Sequence, residues 1–178
     1  TVNSISDSKE VLNPDSIGRV VDKIIDAKKV LIIGMGASGS IAKDLYHKLL
    51  KLRINAVCSN DAHMINLLST NLDPEDLLIV ISHSGESREV LDALALAKDQ
   101  GCQVCAVTSY EKSTLANRAD FLICSSSLET KCRSDAMTSR VIQVMIIDIL
   151  YVCIIVKKGE SILPQIHKSR LAVAKNKV

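Results

Sequence analysis

Apolar residues follow two rhythms along this chain. Short unbroken runs occur at VLIIG (30–34), INAVC (54–58), LLIVI (77–81), CQVCAVT (102–108) and DFLIC (120–124). They are rich in β-branched residues and predict buried strands. Between them, apolar positions recur every three or four residues. Ile17, Val20, Val21, Ile24 and Ile25 follow Asn13, a capping residue, and Pro14, which suits a first helical turn. Helices are also expected over 38–52, 61–71 and 87–100, the last with Val90, Leu91, Leu94 and Ala97 on one face and Gly101 as its stop. KSTLANRA predicts a short helix, 134–157 a long one, and the spacing of Ile162, Ile166 and Leu171 one more. Residues 1–12 are polar and without period. They read as the remnant of a linker, leaving 13–178 as one domain.

Strands that are apolar throughout and alternate with helices imply a parallel sheet covered on both faces. Five of them with right-handed crossovers predict a three-layer, doubly wound α/β fold with strand order 2-1-3-4-5. In that order the first and third strands are neighbours, and the chain leaves them toward opposite faces. Ligands bind in the crevice at the carboxyl ends of such a pair. The loops there are GMGASGS (34–40) and SHSGES (82–87).

Composition narrows the functions on offer. Hydrophobic residues make up 47% but aromatics only 2%, so the core is aliphatic. A net charge of +2, with no Trp, one Phe and three Tyr, argues against nucleic-acid binding by this segment. The apolar run 141–156 is interrupted by Gln143 and Asp148 and is short for a bilayer span. It reads as a buried or interface helix. Being apolar on nearly all sides, it predicts a homodimer or homotetramer, with no membrane partner. Six cysteines (Cys58, Cys102, Cys105, Cys124, Cys132 and Cys153) lie mostly in or beside apolar runs, as structural thiols do. The two of CQVC would point to opposite faces of a strand, which disfavours a metal or redox pair. With no signal peptide, a reducing cytoplasm is expected. No metal or cofactor is expected.

The two loops carry the candidate chemistry. Gly34, Gly36 and Gly39 let backbone approach a ligand, and the amides of Gly36, Ala37 and Ser38 open a helix N-terminus. The pattern resembles a dinucleotide fingerprint, with Asp61 placed where a ribose-binding acid could lie. No Walker-type GK[ST] follows, which disfavours a nucleoside triphosphate. In the second loop Ser82, Ser84 and Ser87 can donate hydroxyls, Gly85 permits a tight turn, and the next helix adds amides and its dipole. That suits one phosphate group. A plain serine-rich connection with Ser87 as N-cap is the competing reading. A serine nucleophile is disfavoured, because G-x-S-x-G is absent and His83 adjoins Ser84 in sequence.

GMGASG, ISHSGES, AVTS and LANRADFLI, in this order, together resemble the SIS (sugar isomerase) domain, a phosphosugar-binding family. SNDAHMINLLSTNLDPEDLLIVISHSGES and ETKCRSDAMTSRVIQVMIIDILYV resemble more narrowly the effector-binding domain of RpiR-type transcriptional regulators, through Arg133, Ala136, Met137, Ser139 and Arg140. The resemblance implies that Ser82, Ser84, Ser87 and the backbone at Gly85 hold a sugar phosphate, with Ser38 assisting and His83 neighbouring. It implies a sensor without catalysis that reaches DNA only through an N-terminal helix-turn-helix domain. Glu129 stands where isomerases of the superfamily carry a catalytic glutamate, so an aldose–ketose isomerase is the alternative. His63 has a counterpart in many such regulators, with a structural role equally open.

Overall fold

The computed structural model describes residues 12–125 and 136–174. Helix α1 (Pro14–Asp26) opens as its sequence predicts. Asn13 Oδ1 accepts the amides of Asp15 and Ser16 at 2.9 and 3.2 Å, and Pro14 takes the first turn. The chain then runs through β1 (Val30–Gly34), α2 (Gly36–Lys51), β2 (Ala56–Ser59), α3 (Ala62–Thr70), β3 (Leu77–Ile81) and α4 (Arg88–Asp99). It continues through β4 (Gln103–Thr108), α5 (Thr114–Arg118), β5 (Phe121–Cys124) and α6 (Ala136–Lys158). A 3-10 turn (Gly159–Ile162) leads into α7 (Leu163–Ala174).

The five strands are parallel and ordered β2-β1-β3-β4-β5. Successive strand residues point to opposite faces, and this builds two cores. Val30, Ile32, Leu77, Ile79, Ile81, Cys105 and Val107 pack under α1, α2 and α6. Leu31, Ile33, Leu78, Val80, Val104 and Ala106 pack under α3, α4 and α5. Strand β1 therefore sends its chain to one face and β3 to the other. Gly34, at the end of β1, lies opposite Ile81, at the end of β3, so the two expected loops start side by side.

Two elements start two residues later or earlier than expected. Helix α2 begins at Gly36 rather than 38, because Gly36 takes φ +53° and turns the chain into the helix at once. Strand β2 begins at Ala56 rather than 54, because the Ile54 amide closes the end of α2 on the Leu49 carbonyl at 3.1 Å.

Helix α6 lays Ile142, Ile146, Ile147, Leu150 and Ile154 into the first core, against α1 and α2. By length and composition alone, the helical stretch Ser139–Ala174 could cross a bilayer, a test that the core helix of a globular domain also passes. The helix outruns its apolar stretch and continues into α7. Its buried isoleucines nevertheless close the core of this domain. Cys102 and Cys105 face different cores, and burial pushes their thiols up to about 11 and about 12. They are inert packing groups at neutral pH. Cys132 lies outside the described residues.

Candidate functional site

The glycines of the first loop are where backbone meets backbone. A Cβ on Gly34 would stand 2.7 Å from the Ser38 carbonyl oxygen, and one on Gly39 would stand 2.9 Å from the Gly34 carbonyl oxygen. The first turn of α2 thus rests directly on the tip of β1. The Ser38 and Gly39 amides turn back to the Met35 carbonyl at 3.0 and 3.3 Å. Met35 is the N-cap and makes no side-chain capping bond, so the Gly36 and Ala37 amides stay open at an exposed helix start.

In the second loop the serine oxygens shape the turn. Ser82 Oγ accepts the Gly85 amide at 3.1 Å, and Ser84 Oγ accepts the Glu86 amide at 3.3 Å. A hydroxyl that accepts still keeps its own proton to donate. Ser84 is exposed, whereas Ser82 is only 5% exposed. The three serines are therefore not equivalent: Ser82 mainly holds the turn, and Ser84 presents a donor outward. Ser87 occupies the N-cap position of α4 but makes no capping bond, which leaves its hydroxyl uncommitted. The competing reading of Ser87 holds for its position and not for its side chain.

The loop is braced from outside by the connection between β4 and α5. The His83 carbonyl accepts both the Ser109 amide and the Thr108 hydroxyl at 3.1 Å. His83 Nδ1 and Ser109 Oγ share a hydrogen bond of 2.8 Å, and Ser109 Oγ meets Ser125 Oγ at 3.0 Å. The Gly85 carbonyl accepts the Leu115 amide at 3.1 Å, and the Glu86 carboxylate accepts the Thr114 amide at 2.6 Å. That bond holds the Glu86 carboxyl below its ordinary value. Gly85 itself takes φ +68° and presses on Ser113, where a Cβ would fall 2.3 Å from Oγ. Such an arrangement can receive one oxyanion without reorganising, through hydroxyls, open amides and two helix N-termini.

The fold brings Gly36, Ala37, Ser38, Ser82, His83, Ser84, Gly85 and Ser87 to one edge of the sheet, on two adjacent strand tips. Glu129 and Arg133 lie outside the described residues. Asp61 is the N-cap of α3, accepting the Met64 amide at 2.8 Å, a structural task that accounts for it without a ribose. His63 sits exposed in the first turn of α3. AVTS marks Thr108 and Ser109 in the sequence without giving them a task, and Ser113 and Thr114 have no signal there beyond the string TSYEKST, a run of side chains able to bond backbone. Gln143 on α6 is also new: its Nε2 is buried without an acceptor among the described residues. Among those residues, no group of three or more His, Cys, Asp or Glu could hold a metal ion.

A family model for the SIS domain matches residues 23–153. The chain belongs to the SIS domain family. Within that family it resembles the effector-binding domains of RpiR-type regulators. An uncharacterised HTH-type transcriptional regulator of Thermotoga maritima is 38% identical over 99% of this chain. The SIS chain spans 63% of that regulator's length. The Vibrio vulnificus NanR protein, solved in complex with ManNAc-6P, shares the fold at TM-score 0.90 and 22% identity, over 98% of this chain and 66% of its own. The sugar isomerase domain of an RpiR transcription factor from Sphaerobacter thermophilus superposes at TM-score 0.85 with 24% identity, over 95% and 93% of the two chains. A putative sugar-phosphate isomerase from Listeria monocytogenes is 28% identical at TM-score 0.78, over 86% and 82%. The SIS fold thus serves both regulators and isomerases.

Proposed function

We propose that this SIS domain is the sugar-phosphate-sensing part of a cytoplasmic RpiR-type regulator of carbohydrate-metabolism genes. The observation that carries the reading is the braced serine loop, with Ser84 and Ser87 hydroxyls available, beside the open amides of Gly36 and Ala37. Ser82, Ser84, Ser87 and the backbone at Gly85 receive the phosphate, Ser38 assists, and Glu129 bonds a sugar hydroxyl. His83 neighbours the ligand and holds the loop's shape through Ser109. The ligand class has support from NanR, which was solved with a sugar phosphate. The regulator context has support from the Thermotoga relative. Residues 1–12 are then the end of an interdomain linker, and DNA contact belongs to an N-terminal helix-turn-helix domain.

Incubation with hexose, pentose and amino-sugar phosphates, read by both melting shift and isomer conversion, tests this. A sensor gives a raised melting temperature with no turnover. Efficient conversion that disappears in Glu129→Gln would instead make the domain an isomerase.

The signal passes through a homo-oligomer in this reading. The outer face of α6 (Val141, Val144, Met145, Ile149, Val152 and Cys153) lines an open apolar groove around Asp148, with Val152 54% exposed. A second copy covers it, and a ligand that favours one arrangement shifts the population competent for DNA. Val152→Glu is expected to leave the fold intact and to lower the mass seen in sedimentation to that of a monomer. An unchanged mass would place the interface elsewhere.

A further inference from the structure

Three helices wall a cleft of about 380 Å³ on the sheet face that carries α1, α2 and α6. Helix α2 contributes His47 and Lys51, α6 contributes Tyr151, and α7 contributes Ile166, Ser169 and Arg170. The cleft is remote from the serine loop. Helix α2 starts at the carboxyl tip of β1 and runs back along the sheet, so His47 and Lys51, in its last turns, lie level with the amino ends of the strands.

The lining holds a lysine, an arginine, a histidine and no carboxylate. Neither Lys51 nor Arg170 makes an ion pair among the described residues. Their neighbour Lys48 is different: Asp44 and Asp148 hold it at 2.5 and 3.1 Å. These two carboxylates are engaged by Lys48, and neither pairs with Lys51 or Arg170. A helix C-terminus attracts cations by its dipole, and that alone would account for Lys51. It does not account for Arg170, which comes from a different helix. The two walls are joined, since Ser169 Oγ lies 3.4 Å from the Lys51 carbonyl and 3.0 Å from that of Gln165. Half-buried Tyr151 and Ile166 supply an apolar floor. The volume falls within the range of small-molecule sites.

We propose that this cleft is a second ligand site, for a small multivalent oxyanion such as a di- or tricarboxylate or a phosphate ester. Lys51 and Arg170 hold its charge, and His47 and the Tyr151 hydroxyl add polar contacts. The site is independent of the serine loop and stands whether or not the sensor reading does. The same oxyanion chemistry could be offered by an acidic side chain of a second copy, and the test separates the two.

Citrate and pyrophosphate are titrated calorimetrically into the purified protein at low salt, and into a Lys51→Gln/Arg170→Gln double variant whose side chains keep most of the aliphatic stem. Binding is expected in the wild type below about 1 mM, weaker by at least about tenfold in the double variant, and weakened by added salt. Ser84→Ala is expected to leave citrate binding unchanged, so failure of the sensor reading and failure of this one are distinguishable. Absence of heat up to about 10 mM would overturn the proposal, as would equal affinity in the double variant. If the wild type binds neither anion and the double variant alone falls to a smaller sedimenting mass, the cleft takes a second copy and the small-ligand site is wrong.

Discussion

Replacing Gly85 with alanine is expected to cost about 2–5 kcal/mol of stability, from left-handed backbone strain and overpacking together, and to abolish sugar-phosphate binding. Gly85 holds φ +68°, which a side chain disfavours. The new methyl would also fall 2.3 Å from Ser113 Oγ and 2.6 Å from Ser113 Cβ. Ser113 cannot easily yield. It is 4% exposed, donates to the Tyr110 carbonyl at 2.7 Å and caps α5 through the Ala116 amide at 3.3 Å. Relief must come from the loop, and moving it breaks the bonds from Leu115 and Thr114 that keep it ready for an anion. Urea unfolding with ligand titration checks both parts. A variant within about 0.5 kcal/mol of wild type that still binds would show the contact to be soft.

Ser84→Ala carries the second large effect, on affinity rather than stability. Its hydroxyl is exposed and held by the Glu86 amide so that its proton stays available. A hydrogen bond to a charged group contributes about 1.5–3 kcal/mol, which converts to roughly 10- to 150-fold in Kd. Sugar phosphates are expected to weaken by that factor and the free sugars to change little. Equal losses for both would remove the phosphate from this loop. Ser82→Ala should behave differently, lowering stability as well, because it strands the Gly85 amide in a nearly buried place.

Much of this was legible in the chain. VLIIG and LLIVI are apolar without interruption because both faces of the sheet are covered, which implies the layers; the strand order needed the right-handed crossovers as well. The placement of the two loops followed from topology. What escaped was the bracing. Thr108, Ser109, Ser113 and Thr114 act on residues more than 20 positions earlier, through a hydroxyl on a carbonyl, a hydroxyl on a ring, a side chain packed against Gly85 and an amide on a carboxylate. Composition cannot show which carbonyl a hydroxyl will find. The same holds for Asp61, whose place after a glycine-rich turn suggested a ribose, while its nearest available donor was the amide of Met64.

Among the described residues the two cores share no side chain, and the sheet lies between them. One ligand loop hands its chain to α2, in the first core, and the other hands its chain to α4, in the second. A molecule that grips both loops would therefore act as a rivet through the middle layer, tying the two outer layers together. Occupancy would be felt as stiffness of the whole domain, on the α6 side as much as on the side of the serine loop.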